Sequence, residues 1–307
     1  MRLACAASAT TLWQSVIQGY GDKPVVAAGG GNWKFQDIVE LAREAGQNSG
    51  KVMATPNGSY LEIMKAKVFY QISGTGEPLL LLHGGFGTNE DFTNQTPEFA
   101  KHFRVIAFER PGHGHSADTD EQFSFDNMSA TTIEFIKNLN LGSANIVGWS
   151  DGAVVALLVA ISRPDLVKRI VSVGGLFNTN SLAPQDAAWL RGATPESFRK
   201  VEPSLVARYE RVSPDGPDHF PTVFKKTIRM WLNEPNIPKE DLAKVAAPTL
   251  IMAGDRDATT HEHTLELFRS IKNAELCIVP GATHFLLSEK PEIANSVVLE
   301  FLLKKRN

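Results

Sequence analysis

The stretch Gly148-Trp149-Ser150-Asp151-Gly152-Ala153 stands between two apolar runs, Ala144-Asn145-Ile146-Val147 before it and Val154-Val155-Ala156-Leu157-Leu158 after it. Few local patterns restrict a fold as strongly. The first run reads as a buried strand and the second as the start of a helix, so the chain must turn sharply with a serine at the apex. Such a turn leaves no room for a Cβ two positions before or after the serine, and both positions are glycine. The strained apex lifts the Ser150 hydroxyl above the sheet and aims the amino end of the following helix at it, which favours negative charge there. The G-x-S-x-G pattern alone is weak, since a chain of this length shows it about 0.1 times by chance from composition. Its strand-to-helix setting makes Ser150 the predicted nucleophile.

The surrounding chain predicts a sheet to carry that turn. Residues 60–63 and 66–72 read as a strand pair, and 79–82, 103–108, 145–147, 166–173, 248–253 and 274–279 as further short apolar strands. Helical periodicity covers 125–141, 151–162, 261–271 and 291–304. Strands alternating with helices predict an α/β fold with a mostly parallel sheet covered on both faces, and catalytic groups at the carboxyl ends of its strands. Between about 177 and 241 the alternation stops. Trp189, Phe198, Tyr209, Phe220, Phe224 and Trp231 recur there among charges, which predicts a helical cap inserted over the sheet edge, its aromatics mostly packing the cap itself. Residues 1–50 read as an N-terminal extension of unknown role, or as the product of a start placed too early with Met53 as the working one. Residues 51–307 read as the main domain.

A serine hydroxyl needs a base to take its proton and a group to orient that base. On this scaffold the acid precedes the histidine and each follows a strand. The strand Pro248-Thr249-Leu250-Ile251-Met252-Ala253-Gly254 leads into Asp255-Arg256-Asp257, and Leu276-Cys277-Ile278-Val279-Pro280-Gly281 leads into Ala282-Thr283-His284. His284 is the expected base. Asp257, further into its loop, is preferred as its partner over Asp255, which sits beside the strand end and can pair with Arg256 or cap the turn. Acyl attack also creates an oxyanion that needs preorganised donors. The backbone N–H of Asp151 is one candidate; Gly85, and after it Phe86, in the loop His83-Gly84-Gly85-Phe86-Gly87 is the other. Trp149, Asp151 and Phe86 are expected to border the substrate. The Asp151 carboxylate has two open readings, a pair for an ammonium group on the substrate or a negative charge complementing the helix dipole.

Composition narrows the partners. Of the 307 residues, 31 are Lys or Arg and 34 Asp or Glu, a net charge of -3 without long like-charge runs, so neither nucleic acid nor an anionic membrane is favoured. A small-molecule ester is the expected partner, and the oligomeric state is left open. Cys5 and Cys277 lie far apart and outside any ligand spacing, so neither a disulfide framework nor a cysteine metal site is expected. The pairs His113-x-His115 and His261-x-His263 each lack a third ligand nearby, so no metal is expected. The N-terminus is too poor in apolar residues for a secretory signal and no run of about 18 apolar residues occurs, which predicts a cytoplasmic protein without a membrane span.

Together HGGFG, RPGHGHS, GWSDGA, GDRD and GATH resemble the α/β-hydrolase superfamily, over nearly all of the chain from residue 51 onward. GWSDG is most similar to the biphenyl-hydrolase-like or valacyclovir-hydrolase-like serine hydrolases. The resemblance implies the α/β-hydrolase fold, with an eight-stranded sheet, a helical cap after the sixth strand and no metal or organic cofactor. It also supports the ammonium reading of Asp151. Glu109 stands where many relatives carry Asp before Arg110. The expected activity is hydrolysis of a small carboxylic ester, an amide or an α-amino acyl ester through an acyl-enzyme. Carbon–carbon bond hydrolases, lactonases and perhydrolases share the same triad and remain alternatives, whereas dehalogenases and epoxide hydrolases carry a carboxylate where this chain has Ser150. A further alternative, of another class, is a hydrolase-like ligand sensor with slow or single turnover.

Overall fold

The computed structural model describes residues 58–304; the predicted extension over 1–50 lies outside them. Strands β1 (Ser59–Ile63), β2 (Ala66–Ser73), β3 (Pro78–Leu82), β4 (Arg104–Phe108), β5 (Ala144–Trp149), β6 (Val167–Val173), β7 (Thr249–Arg256) and β8 (Ala274–Thr283) form one sheet. Their order is β1-β2-β4-β3-β5-β6-β7-β8. β2 runs antiparallel to both of its neighbours, and the pairs from β4 across to β8 are parallel.

The central strands are mostly apolar on both faces, as a sheet covered on both sides requires. Side chains alternate between the faces with the period of two that a strand imposes. Leu80, Leu82, Ile106, Phe108 and Ile146 enter one core layer with helices α1 (Phe125–Asn138) and α2 (Asp151–Ser162). Leu79, Leu81, Val105, Ala107 and Val147 enter the other, where a later helix (Pro291–Leu303) supplies Val297, Val298 and Phe301. The four leucines of β3 are wholly buried, each burial contributing roughly 1.5–3 kcal/mol. This makes β3 a rigid base for the glycine loop that follows it.

Between β6 and β7 the chain leaves the sheet and forms α3 (Pro184–Gly192), α4 (Pro195–Val201), α5 (Pro203–Val212) and α6 (Phe220–Asn233). The last three share a small core of their own, with Phe198, Val206, Tyr209, Phe220, Val223 and Phe224 packed around the ring of Phe86 from the glycine loop. Ion pairs fasten the excursion to the sheet domain: Arg208 to Asp91, and Lys226 and His219 to Asp118. After β7 come α7 (His261–Ser270), then β8, then the Pro291–Leu303 helix, α8. No described helix is long and apolar enough to cross a membrane.

The strand ends differ from the sequence reading in one useful way. β7 continues to Arg256 and β8 to Thr283, past the ends of their apolar runs, because pairing resumes at Arg256 and Thr283 after a register shift at Asp255. Pairing, which is tertiary, carries these strands to the edge of the site.

Candidate active site

The turn between β5 and α2 is as tight as the sequence implies. A Cβ on Gly148 would lie 2.2 Å from the carbonyl oxygen of Gly152, and one on Gly152 would lie 2.0 Å from that of Leu82. Ser150 has φ 54°, a left-handed conformation that costs a residue with a Cβ of order 1–3 kcal/mol. Its N–H is tied to the Val173 carbonyl at the end of β6, and its carbonyl accepts from Ala153 and Val154 as α2 begins. Ser150 occupies the N-cap position of α2, yet its side chain makes no capping bond. The hydroxyl is turned to His284 instead.

His284 Nε2 lies 2.9 Å from Ser150 Oγ, and His284 Nδ1 lies 2.7 Å from Asp257 Oδ1. The same Asp257 oxygen accepts the Thr259 N–H at 3.0 Å, and the carboxylate is fully buried. Burial raises the Asp257 carboxyl, but the charge and hydrogen bond of His284 outweigh it and hold the group below its ordinary range. For His284, burial works against protonation; the charge and hydrogen bond of Asp257, joined by the charges of Asp151 and Glu202, more than offset it and raise the imidazole. A hydroxyl, an imidazole and a buried carboxylate in one relay is the arrangement that turns an alcohol into a nucleophile.

Asp255 has a different place. Its Oδ1 accepts the N–H groups of Gly281 and Ala282, at 2.7 and 3.2 Å, and so clamps the turn that delivers His284. Trp149 holds the same loop from below: its Nε1–H donates to the His284 carbonyl at 2.8 Å, and its largely buried ring packs against Phe285 and His284. Trp149 also borders the cavity described below. The ring of Phe86 is buried in the core of the inserted helices and is not among the residues that border that cavity. Gly85 does border it, with no room for a Cβ because the Trp231 ring would be 2.3 Å away.

Sequence reasoning missed the role of Trp231. Its Nε1–H donates to both carboxylate oxygens of Asp151, so the carboxylate beside Ser150 is held by α6. Burial pushes the Asp151 carboxyl up to about 6, against the opposing pull of the Arg110 charge and the Trp231 hydrogen bond. An indole N–H has no partner readable from sequence, and 80 residues separate the two. Three members of the histidine pairs are engaged elsewhere: His115 with Glu109, His113 with the Pro111 carbonyl, and His263 with the Phe177 N–H.

Above the relay lies a cavity of about 340 Å³ bordered by Ser150, His284, Gly85 and the inserted helices. Its walls are chiefly apolar, with Trp189, Phe198, Trp231 and Phe285 among them. Asp151, Asp186, Glu202 and Glu234 also border it, and none of the described residues that do is Lys or Arg. Burial raises the Glu202 carboxyl, opposed by the charge of His284. Acidic side chains thus outnumber basic ones on its walls, where His284, raised by its surroundings, is the group that can carry positive charge.

Comparison with known proteins agrees with this architecture. Residues 79–295 match the model of a family described as the alpha/beta hydrolase family. The chain is 26% identical over 250 residues, 76% of its length and 93% of the relative's, to the (E)-2-((N-methylformamido)methylene)succinate hydrolase of Acinetobacter baylyi. It is 28% identical over 248 residues, 77% of its length and 83% of the relative's, to the serine hydrolase BPHL of Homo sapiens. Among solved structures, a meta-cleavage product hydrolase from Pseudomonas fluorescens IP01 superposes with a TM-score of 0.70 at 24% identity, over 80% of this chain and 97% of that one.

Proposed function

The chain belongs to the alpha/beta hydrolase family and is a hydrolase, and from that premise we propose that it cleaves a small carboxylic ester through an acyl-enzyme formed on Ser150. The observation that carries the reading is the unbroken relay from Ser150 Oγ through His284 to Asp257 at 2.9 and 2.7 Å. In the first half-reaction His284 Nε2 takes the hydroxyl proton as Oγ attacks the carbonyl carbon. The tetrahedral oxyanion accepts from the N–H groups of Asp151 and Gly85. It collapses as the C–O bond to the alcohol breaks, and the alcohol leaves with the proton held by His284. Water, deprotonated by the same imidazole, then attacks the acyl carbon and releases the acid. Asp257 keeps the tautomer that presents a bare Nε2 to the hydroxyl. The inserted helices act in this reading as a cap that excludes bulk water from the cavity.

The four acidic side chains on the walls, with no Lys or Arg among the lining residues, support an uncharged or amine-bearing ester over an acidic substrate. The Acinetobacter relative is named for a succinate derivative, which carries carboxylates. A carboxylate desolvated in this cavity would lie among four acidic side chains with no Lys or Arg beside it. Cleavage of carboxylate-bearing substrates at a carbon–carbon bond is thereby disfavoured.

The test is steady-state hydrolysis of short p-nitrophenyl esters, of amino-acyl esters, and of esters carrying a distal carboxylate, by the wild-type chain and Ser150→Ala. Multiple turnover on the first two, abolished by Ser150→Ala and at least about tenfold slower for the acidic esters, is expected. A single stoichiometric burst without turnover would favour a ligand sensor. Equal rates on acidic and neutral esters would remove the argument from cavity charge.

A further inference from the structure

We propose that Arg110 is a positioning residue for the oxyanion-binding peptide: with His83, its buried guanidinium pins the Gly84 carbonyl so that the Gly85 N–H stands preset on the opposite edge of the same peptide. The inference rests on the reading of Gly85 as an oxyanion donor.

Three groups donate to the Gly84 carbonyl oxygen. Arg110 Nη2 lies 3.0 Å from it, His83 Nδ1 2.7 Å and the Gly87 backbone nitrogen 3.2 Å. The tautomer of His83 follows from its other bond. Its Nε2 accepts the backbone N–H of Arg110 at 3.1 Å, so in the neutral ring the proton sits on Nδ1 and is given to Gly84. Burial, reinforced by the neighbouring guanidinium charge, keeps the ring neutral by holding it well below the ordinary range. The close approach of Arg110 Nη2 to His83 Nδ1, 3.1 Å, is then a contact between two donors that share one acceptor.

A trans peptide is planar, so its C=O and N–H point in opposite directions. Turning the Gly85 N–H away would require rotating the Gly84–Gly85 peptide and breaking all three bonds at once. That peptide lies against the nucleophile, since a Cβ on Gly84 would come within 3.2 Å of Ser150 Cβ. Two glycines in succession give this loop the most backbone freedom of any residue type, so without the pin the donor would not be preorganised.

The guanidinium also brings charge. Arg110 is completely buried, and its Nε and Nη1 have no hydrogen-bond partner among the described residues. Asp151 and Asp91 act on it through space, while their hydrogen bonds go to Trp231 and Arg208. A buried cation with unmatched donors is costly for a side chain that only fills space. Behind a polarised peptide it strengthens the N–H on the far side and opposes the negative charge that grows there during attack.

The experiment compares wild type, Arg110→Met and Arg110→Lys in three readouts: kcat and KM for p-nitrophenyl butyrate, inhibition by an alkyl trifluoromethyl ketone that adds to Ser150 as a tetrahedral oxyanion, and binding of the parent methyl ketone. Arg110→Met is expected to lower kcat by about 10- to 100-fold and weaken the trifluoromethyl ketone in proportion, with KM and methyl ketone binding within about threefold of wild type. Arg110→Lys, which keeps a charge and one donor, is expected to fall between the two. Wild-type kcat in Arg110→Met, or a loss of kcat that the trifluoromethyl ketone does not mirror, overturns the proposal. Should Arg110→Met fail to fold, Arg110→Lys decides by the same comparison. A wild-type chain that neither turns over esters nor takes a fluorophosphonate label would instead overturn the ester reading, and this proposal with it.

Discussion

Trp231 donates one indole N–H to both carboxylate oxygens of Asp151, at 2.9 and 3.1 Å. The bond joins α6 of the inserted helices to the residue that follows Ser150. The carboxylate that sequence left open between an ammonium partner and a helix-dipole charge thus already holds a neutral donor. That bond leaves the ammonium question to the amino-acyl esters and gives Asp151 a structural task besides.

Trp231→Phe keeps most of the ring in place and removes that donor. A hydrogen bond to a charged group contributes about 1.5–3 kcal/mol, so urea unfolding at pH 7 should show a loss of that size. A loss below about 0.5 kcal/mol would mean that the bond does not fasten the insertion.

Asp151 titrates at about 6 in the folded chain against 3.8 for the free side chain, because it is buried. The folded state binds this proton more tightly, so the contribution to stability is fully present below pH 4, declines as pH rises to 6 and is level above it. Asp151→Asn removes the dependence while keeping an acceptor for Trp231. The variant should gain on wild type by up to about 3 kcal/mol between pH 4 and pH 7. A difference that stays constant with pH would refute burial as the cause.

In the proposed reaction His284 must be neutral to accept the Ser150 proton, and its surroundings raise it above the usual histidine range. The acid limb of kcat/KM is therefore expected at a midpoint above about 6.5. Glu202→Gln removes one of the charges that raise it, so the midpoint should move to lower pH while the plateau changes only a few-fold. An unmoved midpoint would show that Glu202 does not act on the imidazole.

Asp257→Asn and Asp255→Asn separate the two acids that follow the apolar run of β7. The first removes the charge that fixes the imidazole and should cost about 10⁴-fold in kcat. The second loosens the Gly281–Ala282 turn and should cost less than about tenfold, seen also as a lower Tm. The reverse ranking would exchange their assignments.

Gly152→Ala tests the turn itself. The new methyl would meet the Leu82 carbonyl at 2.0 Å, backbone that cannot yield without moving β3. A loss of roughly 2 kcal/mol or more and a fall in fluorophosphonate labelling of Ser150 are expected. A variant as stable and as reactive as wild type would show that the turn tolerates a side chain.

The chain order of the relay is legible in the sequence. Ser150 announces itself because its constraints are local: flanking apolar runs, and glycines where the neighbouring backbone leaves no space. Asp257 and His284 follow from strand ends, which apolar runs mark to within a few residues. The preference for Asp257 over Asp255 rests on distance along the loop, a local measure. The clamp that Asp255 makes on Gly281 and Ala282 has no such local sign, because it exists only where β7 and β8 lie side by side.

Sequence by itself thus determined the succession of strands and helices and the few positions where a side chain, or the lack of one, is forced by adjacent residues. Tertiary structure alone decided that Trp231 meets Asp151, that Phe86 turns into the inserted helices and that Arg110 lies behind the Gly84 carbonyl. It also decided that four acidic side chains and no Lys or Arg border the cavity. Periodicity and Cβ exclusion act over a few residues and leave a trace in the local pattern. Contacts between residues 26 to 80 apart depend on how layers pack and on which buried polar groups find partners, and no local pattern encodes that.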